Sequence, residues 1–490
     1  MNTQAGSLLS GRRLARNALW NFTGLAAPLL VAVVAVPLLI EGMGKERFGL
    51  LAIIWMGIGY FSLFDMGLGR ALTKLVAEYL GRDELETLHG LIWTALWLIF
   101  GLGVVAMLGV FAATPLLIAD VFNVPVELQA ESVVAFHILA LGLPVVTLTT
   151  ALIGILEAHQ RFASIATLRA LLGTLTFLAP VLTLQATPSL AAATAALLAA
   201  RVVALVLYFL LASRSRPELL RPLRPHRIWM RPLFSFGGWL TVTNIVGPVM
   251  IYFDRFFIAS LLTLAAVTYY VTPYEVVSRL LIVPVAAMGV LFPALATAFV
   301  ADKTRMAILY AQASRMLLLV ILPPVAVIFL LAPEGLALWL GTDFRDESTI
   351  VVHWLAVGVV FNTFGQIAYT ALQSIGRPDL VAKAHLTELL PYLGLLWLLT
   401  KEYGIAGTAA AWTIRIVADT ALLLWLARDA IPQLRTVVSR TLLTIPALAG
   451  AFLLAAAIEP LDARIFVALA VCGVCAILLW PSFRRLAARA

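Results

Sequence analysis

The chain has 490 residues, 62% of them hydrophobic and only 12% charged, with a net charge of +8 and a mean hydropathy of +1.00. A soluble fold of this length has too little polar surface to cover that much hydrocarbon, so composition excludes a soluble globular protein. The basic excess falls in short loops between apolar runs, which is a membrane-topology signal, and no nucleic-acid partner is expected.

Taken in order, the chain opens with Arg12, Arg13 and Arg16 before the apolar stretch Ala18–Ile40. That stretch is too long for a signal-peptide core and lacks a cleavage site, so it reads as a retained first helix. Apolar runs then predict an all-α polytopic membrane protein of about 14 transmembrane helices, near 17–41, 47–65, 88–113, 133–157, 164–186, 189–212, 234–260, 266–300, 307–332, 350–373, 380–400, 405–427, 438–458 and 463–481. An even number of crossings puts both termini on one side. Loops on that side carry Arg70, Lys74, Arg82, the arginines of 214–231, Lys303, Arg305, Arg435, Arg484 and Arg485. Opposite loops carry only Lys45, Arg47, Arg345, Lys401 and Arg464, and the 114–132 loop has Asp120, Glu127 and Glu131 without a base. A bias of about five to one places both termini in the cytoplasm.

Residues 213–232 read SRSRPELLRPLRPHRIWMRP, a cytoplasmic linker rich in Arg and Pro. Its prolines disfavour a continuous helix, though a short turn fits around Glu218–Arg221, and anionic lipid headgroups suit its arginines. The segments flanking the two halves repeat. Aligning Ala193–Arg214 with Gly407–Arg428 superposes Thr194 on Thr408, Arg201 on Arg415 and Arg214 on Arg428. The expected organisation is an N-terminal six-helix lobe (1–212), the linker (213–232), a C-terminal six-helix lobe (233–430) and two further helices with a basic tail (431–490). Six crossings per lobe give both the same orientation, related by a pseudo-twofold along the membrane normal with substrate near their interface.

A charge in hydrocarbon costs a few kcal/mol, about 2.5–3.5 on insertion scales, so each one requires an explanation. Arg201 lies midway through the sixth helix. Arg415 and Asp419 are one turn apart in the twelfth, as are Glu275 and Arg279 in the eighth, while Glu388 lies in the eleventh. Asp254 and Arg255 are adjacent, so their side chains leave the helix about 100° apart and are not expected to face one partner. Asp65 ends the second helix, and Arg70, Lys74 and Glu78 follow as a charged stripe at the cytoplasmic mouth. Two readings stand for the paired residues: neutralised struts between helices, or the walls of a polar cavity. Arg201 and Glu388 have no partner on their own helix, which favours a cavity suited to an anionic group such as phosphate. Asp65, Glu275 and Glu388 are the candidates for ion coupling.

Other signals are weaker. His137 and His353 occupy corresponding repeat positions near helix ends, where interfacial placement outweighs a proton relay. Pro28, Pro37, Pro248, Pro273, Pro284 and Pro293 mark bends, as packing kinks or as hinges. Cys472 and Cys475 have CxxC spacing but no second pair, and read as core residues. No HExxH, Walker A or GxSxG motif is present, so neither catalysis, a metal nor a cofactor is expected.

Three segments resemble the polysaccharide transporter family of the multidrug/oligosaccharidyl-lipid/polysaccharide flippase superfamily. They are Gly44–Glu78 with its Phe-Gly entry and Asp-x-Gly-x-Gly exit, Tyr252–Ala259 (YFDRFFIA) and Leu372–Asp379 (LQSIGRPD). The resemblance covers about residues 10–430. It implies a flippase moving a polyprenyl-pyrophosphate-linked oligosaccharide from the cytoplasmic to the periplasmic leaflet of the bacterial inner membrane, for O-antigen or exopolysaccharide assembly. It also implies alternating access of two lobes around a cationic cavity, ion coupling, function as a monomer, and polysaccharide polymerase and glycosyltransferases as partners. Asp65, Gly67, Gly69 and Arg70 fall in the first signature, and Asp254 and Arg255 in the second. Lipid II flippases of the superfamily carry a basic residue in the first helix, and Ala18–Ile40 has none, which counts against a peptidoglycan precursor. The competing expectations are a cation-coupled multidrug antiporter of the same superfamily, and a membrane scaffold or scramblase.

Overall fold

Hydrocarbon offers the backbone no hydrogen-bond partner, so a chain this apolar must satisfy its N–H and C=O groups inside helices. The computed structural model describes residues 28, 30–61, 67–82 and 84–487, and among these there is no strand. Ten of the described helices are long and apolar enough to cross a membrane. The expected count of fourteen is not confirmed among the described residues, where one of the ten is a folded hairpin. The chain forms two compact units that divide after Thr268.

The first unit contains α1 (Leu30–Met43), α2 (Lys45–Phe61), α3 (Leu68–Gly81), α4 (Leu85–Leu116), α5 (Val126–Ala158), α6 (Phe162–Leu184), α7 (Leu190–Ser215) and α8 (Arg227–Leu261). Its core gathers Leu72, Leu91, Leu156 and Tyr208 from α3, α4, α5 and α7. At one end, Arg47 of α2 bonds Glu131 of α5 at 2.9 Å, and Glu131 also accepts from the backbone N–H of Leu190, which opens α7. At the other end, the linker is strapped onto the start of α4. His89 Nε2 lies 2.8 Å from the Arg221 carbonyl, Trp97 Nε1 donates to the Leu223 carbonyl at 3.0 Å, and His226 N–H donates to Thr94 Oγ1 at 3.0 Å. The short turn expected in the linker is a 3₁₀ turn at Pro217–Leu220. Because α8 packs on α2, α3 and α4, the contact boundary lies one helix beyond the linker where the lobe boundary was expected.

Helix α9 (Leu264–Ser278) carries the chain across the division. The second unit continues with α10 (Ile282–Ala301), α11 (Lys303–Leu330), α12 (Ala332–Leu340), α13 (Thr342–Ser374), α14 (Pro378–Ala430), α15 (Arg435–Ala456) and α16 (Leu461–Ala487). The single helix expected over 266–300 is two, separated by a 3₁₀ turn at Arg279–Leu281. Pro284 follows within a turn, where its missing N–H and its ring disfavour an unbroken α-helix.

The sequence repeat has a local counterpart in each unit. Helices α5 and α13 end in the same corner: Gln160 (φ 56°) and Gly376 (φ 78°) are both left-handed. The next N–H then bonds back across the corner, Arg161 to Leu156 at 2.9 Å and Arg377 to Leu372 at 3.0 Å. Farther up the same two helices, His137 stacks on Phe111 at 4.5 Å and His353 on Phe329 at 4.2 Å. These histidines are structural stacking partners in corresponding places.

Helix α14 breaks at Gly404, which adopts φ 60° and turns the chain back on itself. Thr400 and Thr408 hydrogen-bond across the turn at 2.9 Å. The arms approach so closely at Gly407 that a Cβ there would lie 1.8 Å from the Leu399 carbonyl oxygen. Gly407→Ala is therefore expected to cost about 1–3 kcal/mol through overpacking, read as a lower thermal midpoint of the detergent-solubilised protein. Gly394→Ala, which faces open space, is the control and should leave the midpoint unchanged.

Candidate substrate and coupling site

The Gly404 hairpin decides which buried charges meet. Its arms run antiparallel, so residues at similar distances from the turn come together. Tyr392 lies beneath the Arg415 guanidinium, with 5.3 Å from ring centroid to Cζ. One to two turns farther along, Glu388 lies in electrostatic range of Asp419, Arg415 and His385. His385 Nε2 is 3.4 Å from Asp419 Oδ1, and its ring stacks on Tyr369 of α13 at 6.4 Å.

Charge does not balance in this cluster. Two carboxylates face one guanidinium and one imidazole. Both oxygens of Glu388 and Oδ1 of Asp419 are sealed from solvent and meet no hydrogen-bond donor, as does Arg415 Nε on the donor side. Two ionised carboxylates side by side are acceptors only and repel each other. One proton, on either carboxylate or on His385, neutralises the group and supplies the donor it lacks.

The repeat equivalent of Arg415 has a different setting. Arg201 in α7 makes no ion pair among the described residues, and its Nε is buried without an acceptor. Helix α7 has Leu205 where α14 has Asp419, and α6 has no carboxylate. Among the described residues, the first unit therefore holds a buried cation with no protein anion, and the second holds the same cation with two anions.

The remaining expected residues separate into three settings. Arg70 and Lys74 are exposed on α3, and Glu78 of the same stripe pairs with Arg82. Glu275 and Arg279 pair at 2.8 Å and are 39% and 42% exposed. Asp254 and Arg255 are 1% and 2% exposed, and beyond the expectation that they do not face one shared partner, they bond to each other. The long arginine side chain folds back, so that Nη1 reaches Asp254 Oδ1 at 3.1 Å and the Ile251 carbonyl at 3.3 Å, with Tyr252 5.5 Å away as a π partner. Asp65 lies outside the described residues, as do Arg12, Arg13 and Arg16.

Sequence reasoning missed His385 and Tyr392. Their signal was the break near residue 404. Tyr392 and Arg415 stand almost equidistant from Gly404, which a hairpin places face to face. It also missed the tie of Arg464 in α16 to Glu334 at 2.6 Å and to the Leu330 carbonyl at 3.2 Å, which pins the C-terminal helix to α11 and α12.

A bundle of long apolar helices with sequestered, incompletely paired charge is a multi-pass membrane protein of the transporter class. A family model described as polysaccharide biosynthesis protein matches residues 14–299. A Shigella flexneri protein named "Putative O-antigen transporter" is 30% identical over 413 residues, covering 84% of this chain and 97% of that protein. The chain belongs to the polysaccharide biosynthesis protein family. Its fold is similar to an inward-facing multidrug resistance MATE transporter of the MOP superfamily (TM-score 0.69, 16% identity, 85% of this chain and 99% of that one). It is similar also to the lipid II flippase MurJ in an inward closed conformation (TM-score 0.68, 13% identity, 95% of this chain and 100% of that one).

The Asp254–Arg255 contact can be tested for its role. Asp254→Ala leaves a buried guanidinium without its carboxylate and should lower stability by about 3–5 kcal/mol. Adding Arg255→Met should recover part of that loss in thermal unfolding of the solubilised protein. A double variant no more stable than the single one would contradict their pairing.

Proposed function

We propose that this protein is a flippase that carries a polyprenyl-pyrophosphate-linked oligosaccharide from the cytoplasmic to the periplasmic leaflet of a bacterial inner membrane, for surface polysaccharide assembly. The observation that carries the reading is Arg201, whose buried Nε has no acceptor and which forms no ion pair among the described residues. A cation so placed in a membrane helix is stabilised by water or by a ligand's negative charge. A pyrophosphate offers two phosphates whose oxygens match the planar guanidinium fork. Family membership and the relative's name support the same substrate class.

In this reading the pyrophosphate is drawn by Arg201 and Arg415, with Arg70 and Lys74 as exposed cations on the way in. Access alternates between the two sides of the membrane. Both termini are cytoplasmic, the protein acts as a monomer, and glycosyltransferases and a polymerase work before and after it. Translocation breaks no covalent bond, so no catalytic residue is assigned.

The Glu388–Asp419–Arg415–His385 cluster is the coupling element. With one proton it is neutral and fits an empty site in hydrocarbon. Without that proton it carries a net negative charge that competes for Arg415. Proton loss and substrate release from Arg415 are thereby linked. The multidrug antiporter reading has less support. The spare carboxylate of this cluster would suit a cation, but family membership and the relative named an O-antigen transporter favour the lipid-linked sugar.

Two outcomes follow. Arg201→Gln and Arg415→Gln should each cut surface polysaccharide about tenfold or more while membrane levels of the protein hold. Normal polysaccharide in the double variant would remove both residues from the pathway. In proteoliposomes, Glu388→Gln should still equilibrate a fluorescent lipid-linked oligosaccharide but should not respond to an imposed pH gradient. An unchanged response would move coupling elsewhere.

A further inference from the structure

The first unit carries an apolar groove of about 430 Å³ between α4, α5 and α7, walled by Trp93, Trp97, Phe100, Leu152, Val206 and Phe209. It opens on a face where Trp97, Phe100 and Val206 are all exposed, so its mouth is toward the lipid side of these helices. Every wall position lies in the part of its helix nearest the linker: early in α4, late in α5 and late in α7. With the linker in the cytoplasm, the groove is in the inner leaflet.

The linker is tied to one wall of this groove. Trp97 stands in the groove wall, and its indole N–H is bonded to the Leu223 carbonyl. Arg221 and Arg224 flank Leu223, and Arg227 follows where His226 is tied to Thr94. All three arginines are exposed, and none forms an ion pair among the described residues. Hydrocarbon walls ending in three unpaired guanidiniums at membrane-surface height are complementary to one chemistry, an isoprenoid or acyl chain with a strongly anionic head. A phospholipid has two chains to place, and this groove is a single channel between three helices. A polyprenyl pyrophosphate that carries its sugar has one chain and two negative charges on its head.

We propose that this groove is the docking site for the lipid anchor of the substrate, holding the polyprenyl chain against Trp93, Trp97 and Phe209 while Arg221, Arg224 and Arg227 take the pyrophosphate. The proposal rests on the flippase reading and adds where the lipid half of the substrate waits. The chain stays in the bilayer-facing groove while the polar head goes on to the buried arginines. The linker then has a second task besides joining the halves. Because it is bonded to the groove wall through Trp97, an occupied groove and the linker's position are mechanically connected.

The test uses the full-length protein in phosphatidylglycerol-containing nanodiscs, a diazirine-bearing polyprenyl pyrophosphate, and mapping of the label by mass spectrometry. Label is expected in peptides containing 93–100 and 205–209, displaced by unlabelled polyprenyl pyrophosphate and not by polyprenol or by added phosphatidylglycerol. Val206→Trp, at an exposed position that tolerates bulk, should remove that label by filling the groove. Replacing Arg221, Arg224 and Arg227 by Gln should weaken displacement by the pyrophosphate about tenfold while leaving the protein's thermal midpoint unchanged. Equal displacement by phosphatidylglycerol would make the groove an ordinary lipid site and overturn the proposal. Specific label at another segment would overturn the groove and leave the flippase reading standing. No displaceable label anywhere would sink both.

Discussion

Hydrocarbon solvates neither a peptide group nor a charge, and every feature of this chain answers to that constraint. The backbone answers by becoming almost wholly helical. Side chains answer case by case. Glu131 gathers Arg47 and a helix N-terminus, Arg464 gathers Glu334 and a carbonyl, and Arg255 folds onto Asp254. Each of these charges meets an opposite charge in the protein, although Arg464 Nε and Glu334 Oε2 stay without a hydrogen bond. Where a charge is not met in this way, the missing partner has to come from outside the chain.

Two places stay open. They fall at the same repeat position, Arg201 in α7 and Arg415 in α14, yet with opposite balance. The two arginines stand in register, and only the second has Asp419, Glu388 and His385 around it. That difference suits a division of labour: one unit offers a permanent positive charge, and the other offers a charge that a proton can switch. Opposed roles on a repeated frame need no movable part beyond the protonation state of one cluster. The hairpin at Gly404 is what makes the cluster, since it brings residues thirty-one positions apart in sequence, Glu388 and Asp419, onto facing arms.

Much of this was legible in the residues. Apolar length and loop charge gave the helices nearly in place, and the Arg201/Arg415 register gave the repeat that the Gln160 and Gly376 corners and the two His–Phe stacks then display in structure. The site was legible as a set of residue types and not as a set of contacts. Helix depth says that a charge needs a partner but cannot say which neighbouring helix provides it. Glu388 could be singled out, while His385 could not, because a histidine near a helix entrance reads as interfacial until the hairpin folds it against Asp419. The Asp254–Arg255 contact was missed for a related reason. Direction at Cβ was considered, and the reach of a long, flexible arginine was not. The apolar groove had no sequence signal of its own, since its walls use the same residue types as the rest of the lipid-facing surface.

The central claim is that the unbalanced buried cation Arg201, with the proton-switched Arg415 cluster, selects an anionic, pyrophosphate-linked substrate. It is tested most directly by comparing, in proteoliposomes of the purified protein, the flipping of one fluorescent oligosaccharide carried on polyprenyl pyrophosphate, on polyprenyl monophosphate and on an uncharged polyprenyl ether. The account predicts fastest movement for the pyrophosphate, slower movement for the monophosphate and none above empty liposomes for the ether. Equal rates for all three, or uptake of a cationic dye in preference to any of them, would contradict it.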